Sequence, residues 1–329
     1  MTATRENAPR WQLRRQSAGT AWAAGLQRYG IVGVLVAVAV AAAIVSPTFG
    51  TIDNAANIVT AACFIGLITI GQSFVLITGG IDLSVGSMIG LGTVLAALAA
   101  PAGWVAALLV PIAAGIALGL VNGLLVGTAR MAPFIITLSA LLAVNGIAVA
   151  LASSSIVIER GFFTSIANGS VLGLPNLVWI LLIAFVVAAV VLNRTSFGSR
   201  MFALGGNEEA ARMMGVNVTR VKIQVYTISG GLAGLAGALL ASRLSSGVAS
   251  LGSTYELKSI AAAVIGGVLL TGGVGTMLGA LSGVLLIAMI DNLINQMGAL
   301  NAYFQDLFTG VFLVLAMIVQ TLLSRRRDH

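Results

Sequence analysis

The chain has 329 residues, of which 58% are hydrophobic and only 8% charged, and its mean hydropathy is +1.04. Soluble domains carry about a quarter charged residues because water must wet their surface, so a water-soluble globular protein is excluded and lipid is the main solvent. The formal charge of +7 then reads as an orientation signal rather than a nucleic-acid footprint, because no segment offers a polar basic face. Cys63 is the single cysteine and lies in an apolar run, which excludes a disulfide framework. The single histidine, His329, is the last residue, which excludes His-based metal and acid–base sites.

A bilayer core about 30 Å thick takes roughly 17–25 apolar residues per helix. In chain order the apolar runs are 30–47, 55–78, 84–100, 104–127, 133–152, 176–193, 222–242, 258–272, 275–294 and 304–323. They are continuous rather than alternating, unlike the strands of a membrane barrel. The predicted fold is therefore an all-α polytopic membrane protein of about ten helices. The run 258–272 is short and glycine-broken, so 258–290 reads either as two crossings or as a re-entrant pair.

With the amino terminus in the cytoplasm, all of the 17 basic residues fall inside except Arg160, Arg243 and Lys258, as Lys and Arg placement requires. The predicted topology is N-in and C-in. It comprises a basic cytoplasmic segment 1–28, a transmembrane domain 29–323 with a long cytoplasmic loop at 193–222, and a cytoplasmic tail 324–329. The first apolar run has a long basic flank and further spans follow it, which favours a retained anchor over a signal peptide.

Small residues recur every four positions at Gly115, Gly119, Gly123 and Gly127, at Gly275, Gly279 and Gly283, and at Gly230 and Gly234. On a helix each set forms a stripe along which another backbone can come close, chiefly within the bundle, with a subunit interface as the second reading. Leu76-Ile-Thr-Gly-Gly80 is echoed by Leu269-Leu-Thr-Gly-Gly273, and Gly86-Ser-Met-Ile-Gly90 by Gly275-Thr-Met-Leu-Gly279. Glycine-interrupted apolar segments in corresponding halves point to a transport pathway, and here to an ancestral duplication.

The loop 193–222 holds Gly205-Gly-Asn-Glu-Glu-Ala-Ala-Arg-Met-Met-Gly215, which predicts a short capped helix. Asn207 is its amino-terminal cap, Glu208 and Glu209 suit the positive end of the dipole, and Gly215 suits the left-handed stop. Ala210, Ala211, Met213 and Met214 then form an exposed face of small and pliable side chains, fitted to a groove on a partner.

Gly79-Gly-Ile-Asp-Leu-Ser-Val-Gly86, the loop Gly-Gly-Asn-Glu-Glu-Ala-Ala, and Ile260-Ala-Ala-Ala-Val-Ile-Gly-Gly267 through Gly279 resemble the permease subunits of binding-protein-dependent ABC sugar importers. The branch for ribose, xylose, arabinose, galactose and autoinducer-2 is the nearest in pattern. Asn122-Gly-Leu-Leu-Val, Pro133-Phe-Ile-Ile-Thr-Leu138 and Tyr255-Glu-Leu match it too, so the resemblance covers about residues 30–322. It implies a bacterial inner-membrane, multi-pass permease that pairs with a second copy or close paralogue. It also implies ABC ATPase subunits below and a periplasmic or lipid-tethered sugar-binding protein above. ATP and magnesium belong to the ATPase, this chain binds no cofactor, and it is a transport subunit rather than an enzyme. The implied coupling residues are Gly205, Gly206, Asn207, Glu208, Glu209, Ala210, Ala211, Arg212 and Gly215. Asn145 and Lys258 depart from the charges usual in the family, which bears on the cargo.

Asp82 stands at the predicted cytoplasmic junction of the second and third spans. It reads as a cap for the third span or, as an ionisable group in the membrane, as a gating residue. A sugar pathway needs hydrogen-bonding groups and aromatic faces, for which the candidates are Asp82, Asn122, Phe134, Asn145, Tyr255, Glu256, Asn292, Phe304 and Gln305. Asp53, Glu159, Glu256, Asp291 and Asp306 are expected at the outer face with Arg160, Arg243 and Lys258, either solvated or against a docking protein. The alternative function is an ion-coupled secondary transporter of a small polar solute, a mechanism that usually needs an intramembrane acidic or histidine relay.

Overall fold

The computed structural model describes residues 33–44, 46, 48–297 and scattered positions between 304 and 318. The basic segment 1–28 and the tail 324–329 lie outside the described residues, as does most of the predicted run 304–323.

Among the described residues up to 297, the helices in chain order are α1 (Gly33–Ile44), then α2 (Ile52–Ile77), α3 (Ser84–Ala99), α4 (Trp104–Gly127), α5 (Pro133–Leu151), α6 (Phe162–Asn168), α7 (Asn176–Arg194), α8 (Ser196–Gly206), α9 (Glu208–Met213), α10 (Val218–Leu244), α11 (Tyr255–Ile265) and α12 (Met277–Met297). Among the described residues, seven helices are long and apolar enough to cross a membrane. Their ends follow local chemistry. Thr51 caps α2 by accepting from Asn54 N–H at 3.3 Å, Pro133 opens α5 where its missing N–H costs nothing, and Asn217 caps α10 by accepting from Arg220 N–H at 2.9 Å.

α2 and α10 form the centre, with α10 running along α4, α3 and α2. The span of α2 is 89% buried whereas those of α4 and α5 are each 22% buried, so the last two present their apolar sides to the surroundings. The glycine stripe of α4 faces α10: a Cβ on Gly115 would meet the Gly230 carbonyl, one on Gly119 the Tyr226 carbonyl, and one on Gly123 the Ile223 backbone. Gly279 and Gly283 likewise face Gly266 and Ala262 of α11. Both stripes serve packing inside the chain, where backbone contact replaces side-chain volume.

The run 258–272 is not a full helix. α11 has eleven residues, about 16 Å of rise, and ends at Gly266 and at Gly267, whose φ is +87°. The chain in front of it is a two-residue strand, Ser246–Gly247, followed by a single 3₁₀ turn, Ala249–Gly252. After α10, residues 246–252 run down the side of α3: Val248 N–H donates to Thr93 Oγ1 at 3.0 Å, Ala249 meets Gly90, and Gly252 meets the Gly86 carbonyl. The apolar runs did not reveal this, because Ser246-Gly-Val-Ala-Ser-Leu-Gly-Ser-Thr254 is rich in Ser and Gly and falls between them. Two short antiparallel pairs, β1 (Ile156–Val157) with β4 (Ser246–Gly247) and β2 (Ser170–Val171) with β3 (Leu174–Pro175), close the end of the bundle away from α9.

Candidate functional site

The break between α2 and α3 lies inside the bundle rather than at its edge, which corrects the predicted place of Asp82. Asp82 and Ser84 are buried, and Asp82 reaches Ser229, near the middle of the 27-residue α10. Asp82 Oδ1 accepts from Ser84 N–H at 3.0 Å and from Ser84 Oγ at 2.6 Å, and Oδ2 accepts from Ser229 Oγ at 2.8 Å. Asn122 Nδ2 donates to Ser84 Oγ at 3.0 Å. The carboxylate thus caps α3 and also joins α3, α4 and α10. Asp82 and Asn122 therefore belong to one cluster, in which Ser84 and Ser229 are the members the sequence reading missed.

The start of α11 comes to the same region. A Cβ on Gly86 would strike the Glu256 carboxylate and the Gly252 carbonyl, so the amino-terminal ends of α3 and α11 meet within the membrane span. Tyr255 and Glu256 are half-buried there and Ser253 is exposed. Non-helical chain at membrane depth is stable only where protein buries it or where it borders a cavity.

The remaining pathway candidates are dispersed. Asn292 donates to Asn54 Oδ1 at 3.0 Å and accepts from Gln296 at 3.0 Å, in an amide cluster that ties α12 to α2. Gln305 donates to Asn295 at 2.8 Å. Phe134, Asn145 and Phe304 are exposed on the described surface. Lys258 is neither solvated nor free for a docking protein: its ammonium pairs with Asp291 at 3.1 Å, with side-chain exposures of 11% and 18%. A separation of 33 residues hid that pair from the sequence. Gln72 of α2 is fully buried, and neither its Nε2 nor its Oε1 has a hydrogen-bond partner among the described residues.

At the α9 end, three glycine pairs converge. Gly273 N–H donates to the Ile77 carbonyl at 2.9 Å. A Cβ on Gly205 would strike the same carbonyl and Gly273 N, and one on Gly272 would lie 2.9 Å from the Gly205 carbonyl oxygen and 3.1 Å from Gly79 N. The echoed Leu-x-Thr-Gly-Gly segments are therefore in direct backbone contact, with the end of α8 wedged against both. Gly79, Gly272 and Gly273 all have positive φ.

From that junction the chain enters α9. Asn207 Oδ1 accepts from Ala210 N–H at 2.9 Å, and Gly215 turns left-handed at φ +83°. Glu208 takes Lys222 at 2.8 Å and Arg212 at 3.0 Å, and the Lys222 hydrogen bond, ahead of Arg212, holds its carboxyl below the usual glutamate range. Met213 is 79% and Met214 71% exposed. Ala211 is fully buried and Ala210 half-buried, so the expected exposed face narrows to the methionines and the charged residues. In a six-residue helix one side must seat on the bundle, and the alanines form it. Gly205 is packed in the junction, while Gly206 has nothing within 4 Å of a Cβ.

Residues 54–317 match the family described as branched-chain amino acid transport system / permease component. The chain is 37% identical to the ribose import permease protein RbsC of Bacillus subtilis, covering 84% of this chain and 87% of that one. It is also 37% identical to the ribose import permease protein RbsC of Escherichia coli K12, covering 89% and 93%. The L-arabinose ABC transporter permease protein AraH of Azospirillum brasilense is 36% identical over 89% of this chain and 87% of its own. No solved structure matches. The chain thus belongs to the branched-chain amino acid transport system / permease component family, and is a transport subunit of the sugar-importer permease kind rather than an enzyme.

Proposed function

We propose that this chain is the membrane permease of an ATP-binding-cassette importer that carries a monosaccharide or similar polyol inward. It crosses the bacterial cytoplasmic membrane about ten times, N-in and C-in, with α11 and residues 246–254 before it making one crossing together. It pairs with a second copy or close paralogue. α9 docks on an ABC ATPase, and the opposite end receives a sugar-binding protein. The cargo passes beside the facing starts of α3 and α11, where Tyr255 and Glu256 remain accessible. Broken helices that meet at mid-membrane are a recurrent way to build such a passage.

The observation that carries this reading is the backbone junction that ties the protruding α9 to the break bearing Asp82. Movement of the end of α8 has no side chains to absorb it there, so it acts directly on Ile77 and on the loop before α12. The similarity to ribose and L-arabinose permeases supports a pentose as the class of cargo.

Uptake in proteoliposomes tests the proposal. Labelled pentose should enter only when the ATPase, ATP and binding protein are all present. Uptake driven by an ion gradient without the ATPase would establish the alternative, a secondary transporter.

A further inference from the structure

At the end of the bundle opposite α9, a polar cleft of about 660 Å³ opens between α6 and the last turn of α10, lined by Arg160, Thr164, Ser165, Asn168, Arg243 and Ser245. Arg243 Nη1 donates to Asn168 Oδ1 at 2.7 Å. The Asn168 amide is itself fixed by donating to the carbonyls of Thr164 and Ser242 at 2.9 and 3.0 Å. One corner of the Arg243 guanidinium is thereby held while its other N–H groups stay available. Arg160 makes no ion pair among the described residues, and neighbouring Glu159 forms none with it. Two arginines with hydroxyls between them form an anion-binding surface without a protein counter-charge.

The apolar surroundings fix the kind of anion. Leu244, directly after Arg243, is 48% exposed, and Trp104, which opens α4, is 46% exposed. The Trp104 ring stands edge-on to Phe162 with centroids 5.0 Å apart, and Phe162 is 65% exposed. Tryptophan at the end of a lipid-facing helix marks the boundary between hydrocarbon and headgroups. The cleft therefore sits at headgroup depth, with apolar side chains on its membrane side. An acidic protein side chain matches only the charge; a phospholipid matches both the charge and the apolar fringe. We infer that this cleft binds the phosphate of an anionic phospholipid, with Arg160 and Arg243 as the forked donors and the acyl chains lying along Trp104, Phe162 and Leu244.

The test is lipid retention by the purified full-length permease, in complex with its partners, after exchange into detergent containing equal phosphatidylglycerol and phosphatidylcholine. Native mass spectrometry should show about tenfold preference for phosphatidylglycerol, the effect of one strong charge-assisted contact. Arg160→Gln should weaken that preference, and the Arg160→Gln/Arg243→Gln pair should abolish it. Because the Arg160 side chain is exposed and makes no ion pair among the described residues, its single variant should keep the fold and guards against loss by unfolding. No preference in the wild type, or one that survives the double substitution, overturns the assignment. Displacement of the lipid by an equal concentration of glycerol phosphate assigns the cleft to a free anion and also overturns it. So does a double variant that keeps its lipid preference but loses capture of the binding protein.

Discussion

Ser229 of α10 donates its hydroxyl to Asp82 at 2.8 Å, across 147 residues of chain, and so fixes the depth at which α3 begins. Among the described residues the hydrogen bonds to Asp82 come from Ser84 and Ser229, and no cation is among its partners there. The carboxylate therefore acts by geometry. Asp82→Asn keeps one oxygen for Ser84 and lets the Ser229 hydroxyl turn to accept, so thermal stability and uptake should stay within about twofold of wild type, less than 0.5 kcal/mol. Asp82→Ala leaves three donors unpaired in the bundle and should cost about 2–4 kcal/mol in unfolding. Loss of uptake in a well-folded Asp82→Asn variant would show that the charge itself is needed.

Gly205 and Gly206 are neighbours with opposite expectations. A methyl group on Gly205 collides with the Ile77 carbonyl, whereas one on Gly206 meets nothing. Gly205→Ala should destabilise by about 1–3 kcal/mol and lower ATP-driven uptake at least severalfold. Gly206→Ala should be neutral in both thermal unfolding and uptake assays.

The Lys258–Asp291 pair is partly buried, so removing one partner strands the other. Lys258→Met alone should cost about 3–5 kcal/mol, while Lys258→Met with Asp291→Leu should recover most of the loss. A double-mutant cycle in detergent unfolding measures the coupling. Additive losses would mean that the pair is not coupled.

The ion pairs of Glu208 predict a pH response. Its carboxyl is held below the usual glutamate range, chiefly by Lys222, so its contribution is present above the unfolded value, about 4.3, and is lost as pH falls through the lowered folded value. Binding of the permease to its ATPase, followed by co-purification, should not change between pH 7 and about pH 5 on account of this residue. Glu208→Gln should weaken binding at both pH values alike. With Glu208 about half exposed, the stability effect is small.

What was legible in the sequence was local. Asn207 and Gly215 announced α9 because caps depend on residue type within one turn, and the four-residue glycine period announced that another backbone packs closely on α4, without saying that it is α10. The packing of residues 246–252 along α3 was not legible, since a short Ser- and Gly-rich segment between apolar runs reads as a surface loop. Nor were the Ser229 and Asp291 contacts, because a hydroxyl or carboxylate in a helix gives no sign of which distant element it meets. Ala211 was misplaced for a related reason: in so short a helix, seating on the bundle decides which face is covered. The echo of Leu-Ile-Thr-Gly-Gly in Leu-Leu-Thr-Gly-Gly was visible, but nothing in it showed that the two copies touch.

That contact binds the histories of the two halves together. Gly79 and Gly272 lie backbone against backbone, so bulk added to either turn is felt by both. Paired substitutions across them will be non-additive, and an exchange of one half for that of a relative will succeed only when its turn still fits its counterpart. The two echoed turns form one joint, and each can change only in step with the other.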